Sequence, residues 1–481
     1  MLKKIFLFFI AIALISGIKA ANTPTDTVTI VVLSVNDMHA KIDNFPKFKA
    51  LADSIRSRYE HVLVFSAGDN FTGNPVVDQY PDKGYPMVAL MNQTGFDACA
   101  LGNHEFDYGQ ATLYKRQQQA DFPYLCANIS MLPGDSLNFK PYTFFNFDGS
   151  KVGVVSFIQI NESGLPDSHP SRLSGLTFTN YKDKIGEMRP LRDSCQVLIA
   201  LTHLGIEDDV ELANAWGDID VITGGHSHTL VSNPMLQNGV LIMQAGSGLK
   251  NASMITLKIV DGVLVSKTAQ ILNVIQQSTS DANVMQMVDQ YNDNKELNQM
   301  IGTAVQNISG ADELGSMMTD AMTTVEPIEI AFQNAGGIRT DEWQMGDITI
   351  KDVFKLDPFG NEIILFKLTP AEIRSLILPS YNRERALDLQ VSGINYTVKT
   401  NAEGEAIEVV LSNYDGSPLD ETRTYNVGLS SYIASSYPFD HADEGTSLYT
   451  ITAQSLINFI KDKKALDYTG VKRAFVKEFA R

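Results

Sequence analysis

Between Val28 and Ile275 the chain alternates two patterns. Short runs that are almost wholly apolar and rich in valine and isoleucine predict buried strands: VTIVVLSV (28–35), HVLVFSAG (61–68), YLCANI (124–129), KVGVVSFI (151–158), QVLIALTH (196–203) and DIDVIT (218–223). Between them, PKFKALADSIRSRY (46–59) and YKDKIGEMRPLRDS (181–194) carry helical patterns. Such alternation predicts a layered α/β domain over 27–275, with central sheets and functional loops at the strand ends. Behind Asp281, a candidate cap, Val284, Met287, Val288 and Tyr291 recur at helical intervals and predict a linking helix over 276–302. Residues 303–481 predict a second, α+β domain. Neither an internal repeat nor a low-complexity tract interrupts the chain.

The first residues follow a different rule. Lys3 and Lys4 precede the apolar run Ile5–Ile18, and small residues follow at Ala20 and Ala21. A charged start, a short apolar core and small residues at a cut predict a signal peptide over 1–21, hence export to the periplasm or the medium. The run is short for a membrane span, and no other run is long enough to be one. The 481 residues suffice for two or three domains, and 44% apolar with 20% charged residues is ordinary globular composition. A net charge of −18 gives no footprint for nucleic-acid polymers or anionic membranes, so an anionic substrate needs local cations such as metal ions. Cys99, Cys126 and Cys195 each lie in or beside an apolar run and read as buried free thiols, with a single bridge as the alternative. Oligomeric state is not legible.

Five loops, each following a strand-like run, gather metal-capable side chains: Asp37 and His39 in NDMHA, Asp69 in GDN, Asn103, His104 and Asp107 in GNHEFD, His203 in THLG, and His226 and His228 in GGHSH. Five of the chain's eight histidines fall in these loops. Alone, each motif reads as a turn; together and in this order they predict a metal site. Two divalent ions a few ångströms apart clamp a phosphate and activate water, and one carboxylate, here Asp69, bridges them. Neutral imidazoles and an amide oxygen complete the shells without excess negative charge, which suits zinc, with manganese, cobalt or magnesium as alternatives. Asp37 with His39, and His226 with His228, are expected to share one side of an extended segment, because strand periodicity is two. His104, oriented by Asp107, is left to stabilise the transferring phosphoryl group or protonate the leaving oxygen. Glu105 is expected to cap or brace the turn.

These motifs resemble the calcineurin-like metallophosphoesterases and, more closely, the 5′-nucleotidase and UDP-sugar hydrolase family. The resemblance covers nearly the whole mature chain. It implies a layered αββα metallophosphoesterase domain, a linker helix and an α+β C-terminal 5′-nucleotidase domain. It places Asp37, His39, Asp69 and His228 at one metal, Asp69, Asn103, His203 and His226 at the other, and the catalytic pair on His104 and Asp107. In the second domain FQNAGGIRT (332–340), LDPFGNEI (356–363), LQVSGINYTV (389–398) and LSSYIAS (429–435) resemble substrate-binding stretches. They imply Asn334, Arg339, Phe359 and Tyr432 as substrate contacts, the two aromatics holding a base between them. The family also implies rotation of the second domain about the linker, near Asp293–Thr303.

Two stretches depart from that family. NISGADELGSMMTDAM (307–322) lacks the arginine usual there, and SSYPFDHADEG (435–445) stands where a G-G-D-G segment is usual, with Asp440 as a candidate replacement carboxylate. The expected activity is hydrolysis of nucleoside 5′-monophosphates. The alternatives are the same chemistry on cyclic nucleotides, UDP-sugars or other phosphoesters, and a nucleotide-binding protein without catalysis.

Overall fold

The computed structural model describes residues 26–131 and 137–478; the leader expected over 1–21 lies outside the described residues. Two six-stranded sheets stack in the first domain. One orders its strands Val263–Asn273, Asn251–Val260, Thr27–Val35, His61–Ser66, Ala98–Ala100 and Tyr124–Leu125. The other orders Met235–Gln237, Val240–Met243, Val221–Thr223, Val197–His203, Ser150–Ile158 and Tyr142–Phe147. Their facing sides share a core of Ile30, Val32, Phe65, Val154, Ile199, Val221 and Leu257. Helices Phe45–Arg56 and Tyr85–Thr94 contribute Phe48, Ile55, Met87 and Leu90 to a second core; Tyr181–Met188 and Ile206–Ala215 contribute Tyr181, Ile185 and Leu212 to a third. This is the expected αββα layering: strands buried on both faces read as continuous apolar runs.

Register brings the strand ends level. Val35 pairs with Ser66 and Ser66 with Cys99, in parallel. In the other sheet Ile158 pairs with His203, and Leu201 with Thr223. All the loops that carry metal-capable side chains therefore leave the two sheets along one edge.

Three elements differ from expectation. The helical pattern at 181–194 is an α-helix only over Tyr181–Met188 and continues as a 3₁₀ turn, Arg189–Ser194, because Pro190 lacks the amide that an α-helix needs. The run 124–129 splits into strands Tyr124–Leu125 and Ile129–Met131, which join different sheets. The stretch 280–302 is helical over Ala282–Asn292, where the Asp281 carboxylate accepts the Val284 amide at 2.9 Å. Cys99, Cys126 and Cys195 are all free and buried.

The C-terminal part contains a five-stranded sheet ordered Leu389–Ser392, Ile330–Asn334, Tyr425–Ser430, Glu362–Leu368 and Thr446–Ile451. Helices Gly310–Thr323 and Pro370–Glu384 pack in this part, and Ala406–Ser412, Asn395–Thr400 and Ala474–Glu478 form a smaller sheet. One apolar cluster runs from Phe48 through Val284 to Leu314 and Val353, so the parts share a core. Among the described residues no helix is long and apolar enough to cross a membrane. Truncation of Leu257, fully buried between the sheets, should lower unfolding free energy by about 2–5 kcal/mol in urea melts. Leu236→Ala, at a 70% exposed position, should change it by less than about 0.5 kcal/mol.

Candidate metal centre

The five loops meet at one point. After Val35 the chain does not stay extended: Asp37, His39 and Ala40 all take positive φ, at 49°, 46° and 56°. His226 and His228 do the same, at 80° and 54°. The expectation of extended D-x-H and H-x-H segments is thus corrected. Tertiary hydrogen bonds impose the curl, from the Asp37 amide to the Gly68 carbonyl (3.0 Å), His39 to Asp69 (2.9 Å) and Ala40 to Asn70 (2.7 Å). Backbone in this region is strained for residues other than glycine and persists where the surroundings over-determine it, as at functional sites.

Glu105 braces the centre. It is fully buried, and its Oε2 accepts the amides of Asp69 (3.0 Å) and Gly102 (2.7 Å). Its Oε1 accepts the Asn70 amide (2.7 Å) and the Asn70 side chain (3.0 Å). The GDN and GNHE loops are so close that a Cβ on Gly102 would collide with the Asp69 backbone and carboxylate.

The donors then converge in two groups. In one, His39 Nδ1 donates to the Thr72 carbonyl at 3.1 Å, which leaves the Nε2 lone pair facing His228 Nε2 at 2.8 Å. Asp37 Oδ1 lies 3.5 Å from His228 Nε2. In the other, His203 Nδ1 donates to the Ala67 carbonyl at 2.7 Å, leaving Nε2 at 3.1 Å from Asp69 Oδ2 and 3.2 Å from Asn103 Oδ1. His226 Nδ1 lies 3.1 Å from the same Asn103 oxygen. Asp37 with His39 and His228, and Asp69 with His203 and His226, form metal-capable clusters, and a third cluster joins His39, Asp69 and His104.

The donors split electrostatically: burial opposes protonation of His203, but the Asp69 carboxylate pushes it up to about 10, while three other imidazoles move down. Burial and the charge of His203 push His226 down to about 4; burial and the charge of Arg339 do the same to His228. Burial and His104 push His39 well below the usual imidazole range. These rings are neutral and offer lone pairs. Burial opposes ionisation of Asp69, but His203 and His104 overcome it and hold the carboxyl well below its ordinary value. Facing imidazole nitrogens around a buried carboxylate fit divalent cations.

His104 Nδ1 donates to Asp107 Oδ2 at 2.7 Å, and its Nε2 lies 3.9 Å from Asp69 Oδ2. The C-terminal part reaches the same place. The Phe359 ring lies nearly parallel to that of His104, centroids 5.9 Å apart, and the Arg339 guanidinium sits 5.6 Å from the Phe359 centroid. Asn334 ends the strand Ile330–Asn334 and is buried. Tyr432 packs edge-on against Tyr437, ring centroids 6.2 Å apart. Asp440 is exposed, and its amide donates to Ser375 Oγ at 2.9 Å.

Comparison with known proteins accounts for this pairing of parts. Residues 30–230 match the calcineurin-like phosphoesterase model, and 293–438 match the model of the 5′-nucleotidase C-terminal domain. Protein UshA of Yersinia enterocolitica is 25% identical across 95% of this chain and 95% of its own length. A 5′-nucleotidase of Vibrio cholerae is 27% identical across 85% of each. The chain spans only 38% of a longer relative, endonuclease YhcR of Bacillus subtilis, at 25% identity over 86% of this chain. The structure of a 5′-nucleotidase precursor from Thermus thermophilus superposes with a TM-score of 0.82 at 24% identity, covering 93% of this chain and 99% of that one.

The chain joins a calcineurin-like phosphoesterase domain to a 5′-nucleotidase C-terminal domain. Its class is metal-dependent phosphoester hydrolase, and the family's chemistry implies divalent metal. Sequence reasoning missed several groups at the centre. Asp167 receives the Asn103 side-chain amide on its carbonyl at 3.0 Å. Near Tyr432, Arg383 and the Tyr437 hydroxyl both donate to Asp388 Oδ2, at 2.9 and 2.6 Å. Neither cluster has a motif, since its members meet only in the fold. Replacing Glu105 by Gln would turn an amide group toward backbone donors. The variant should lose about 1–3 kcal/mol in urea unfolding of chelator-treated protein. Wild-type stability would show that the brace is dispensable.

Proposed function

We propose that this chain is an exported, dinuclear metal phosphoester hydrolase that releases phosphate from nucleoside 5′-monophosphates. The convergence of seven donors, the shared Asp69 among them, beside a hydrogen-bonded His104–Asp107 pair, carries the reading. Asp37, His39, Asp69 and His228 would hold one ion; Asp69, Asn103, His203 and His226 would hold the other. Divalent ions bound there, zinc or one of manganese, cobalt and magnesium, would supply the Lewis acidity that lets water attack a phosphate ester at neutral pH. The leader over 1–21 supports export to the periplasm or the medium.

The chain's own residues do the rest. Asp107 holds the Nδ1 proton of His104, so Nε2 is the atom that meets the transferring phosphoryl group or the leaving 5′-oxygen. Arg339 brings a fixed guanidinium toward the centre, suited to bidentate contact with phosphate. Phe359 offers an aromatic face, and Asn334 and Tyr432 complete the substrate side. A second reading keeps this chemistry and changes the substrate to a cyclic nucleotide, a UDP-sugar or another phosphoester. It is favoured by the helix Gly310–Thr323, whose first turn holds Asp312 and Glu313 and no arginine.

His104→Ala should lower phosphate release from AMP by about 10²–10⁴-fold with bound metal unchanged. Full activity in that variant would remove His104 from the reaction. Chelator-treated protein restored with Zn²⁺ or Mn²⁺ should release phosphate from AMP and UMP faster than from cyclic AMP, UDP-glucose or glycerol phosphate. The reverse ranking would establish the second reading.

A further inference from the structure

The loop that follows strand Ser150–Ile158 touches three of the residues assigned above to the second ion, two of them, Asn103 and His226, through their side chains. It begins with the Gln159 amide donating to the His203 carbonyl at 2.8 Å. Eight residues later the Asp167 carbonyl accepts the Asn103 side-chain amide at 3.0 Å, which directs Asn103 Oδ1 at His203 and His226. The Asp167 carboxylate is shared out as well. Its Oδ1 accepts Asn161 Nδ2 at 3.0 Å, and its Oδ2 lies 3.8 Å from His226 Nε2. His226 Nδ1 faces the Asn103 oxygen, so a ligating Nδ1 leaves the ring proton on Nε2, toward Asp167. Two residues on, His169 Nε2 lies 3.5 Å from Ser435 Oγ, on the helix Ser431–Ser436 that carries Tyr432.

We propose that Asp167 is a positioning residue for one half of the centre: its carbonyl orients Asn103 and its carboxylate fixes the tautomer and direction of His226. This rests on the dinuclear reading. Partners of ligating side chains typically change metal affinity by about 10–100-fold, because they set ring orientation and basicity. Among the described residues no hydrogen bond or ion pair joins His39 or His228 to this loop, so the effect is confined to one ion.

The test titrates Co²⁺ into chelator-stripped wild type, D167A, D167N and D167E, counting ions per chain and following visible absorption. Wild type should take two equivalents. D167A and D167N should keep the first at wild-type affinity and bind the second about 10–100-fold more weakly, with an altered spectrum for that step. D167E should restore much of the second step. Variants that titrate like wild type would overturn the proposal. So would loss of both equivalents together, since a collapsed fold and not one ligand pair would then be the cause. A wild type that takes a single equivalent would overturn the dinuclear reading and this proposal with it.

Discussion

The Glu105 carboxylate draws the amides of Asp69, Asn70 and Gly102 onto its two oxygens, deep in the domain and away from water. A buried carboxylate persists there because each oxygen has two donors. That grip holds the GDN and GNHE loops in contact, and the remaining geometry follows. Asp69 is presented inward, its Oδ1 accepts the His104 amide at 2.9 Å, and its Oδ2 faces His203. The strand pairing of Val35 with Ser66 sets the NDMHA loop beside it, and the other sheet brings His203 and the GGHSH loop from across the core.

The centre is an electrostatic problem that the chain leaves half solved. A protein of net charge −18 collects carboxylates and imidazoles at one buried spot. Burial keeps three imidazoles neutral, and Asp69 retains its charge against burial because His203 and His104 favour it. Such a donor set is stable with cations among it. The main-chain carbonyls of Thr72 and Ala67 accept the distal ring protons of His39 and His203, so each of those rings turns the same kind of atom inward. On the His226 side the corresponding support comes from a loop, through Asp167.

The second part of the molecule completes the site from outside. Phe359 against His104, and Arg339 over Phe359, bring an aromatic face and a fixed positive charge to a centre otherwise rich in carboxylate. The apolar cluster linking Phe48, Val284, Leu314 and Val353 gives that approach a shared core. Around Tyr432, Arg383, Asp388 and Tyr437 form a hydrogen-bonded cluster that no motif describes.

The apolar runs by themselves determined the strands and the layering, because strands buried on both faces must be apolar throughout. The same sequence placed a loop of metal-capable side chains after each of five runs, and Glu105 as a brace. Local pattern failed where local rules compete with tertiary contacts. Pro190 cut the helix at 181–194, and the run 124–129 divided between two sheets. The D-x-H and H-x-H segments were read as extended from period-two spacing, and only cross-loop hydrogen bonds curl them into positive φ. Asp167, Asp388 and Arg383 carry no signature along the chain. Their roles depend on partners tens of residues away, Asn103 and His226 for Asp167 and Tyr437 for Asp388 and Arg383, and only the folded arrangement decides those distances.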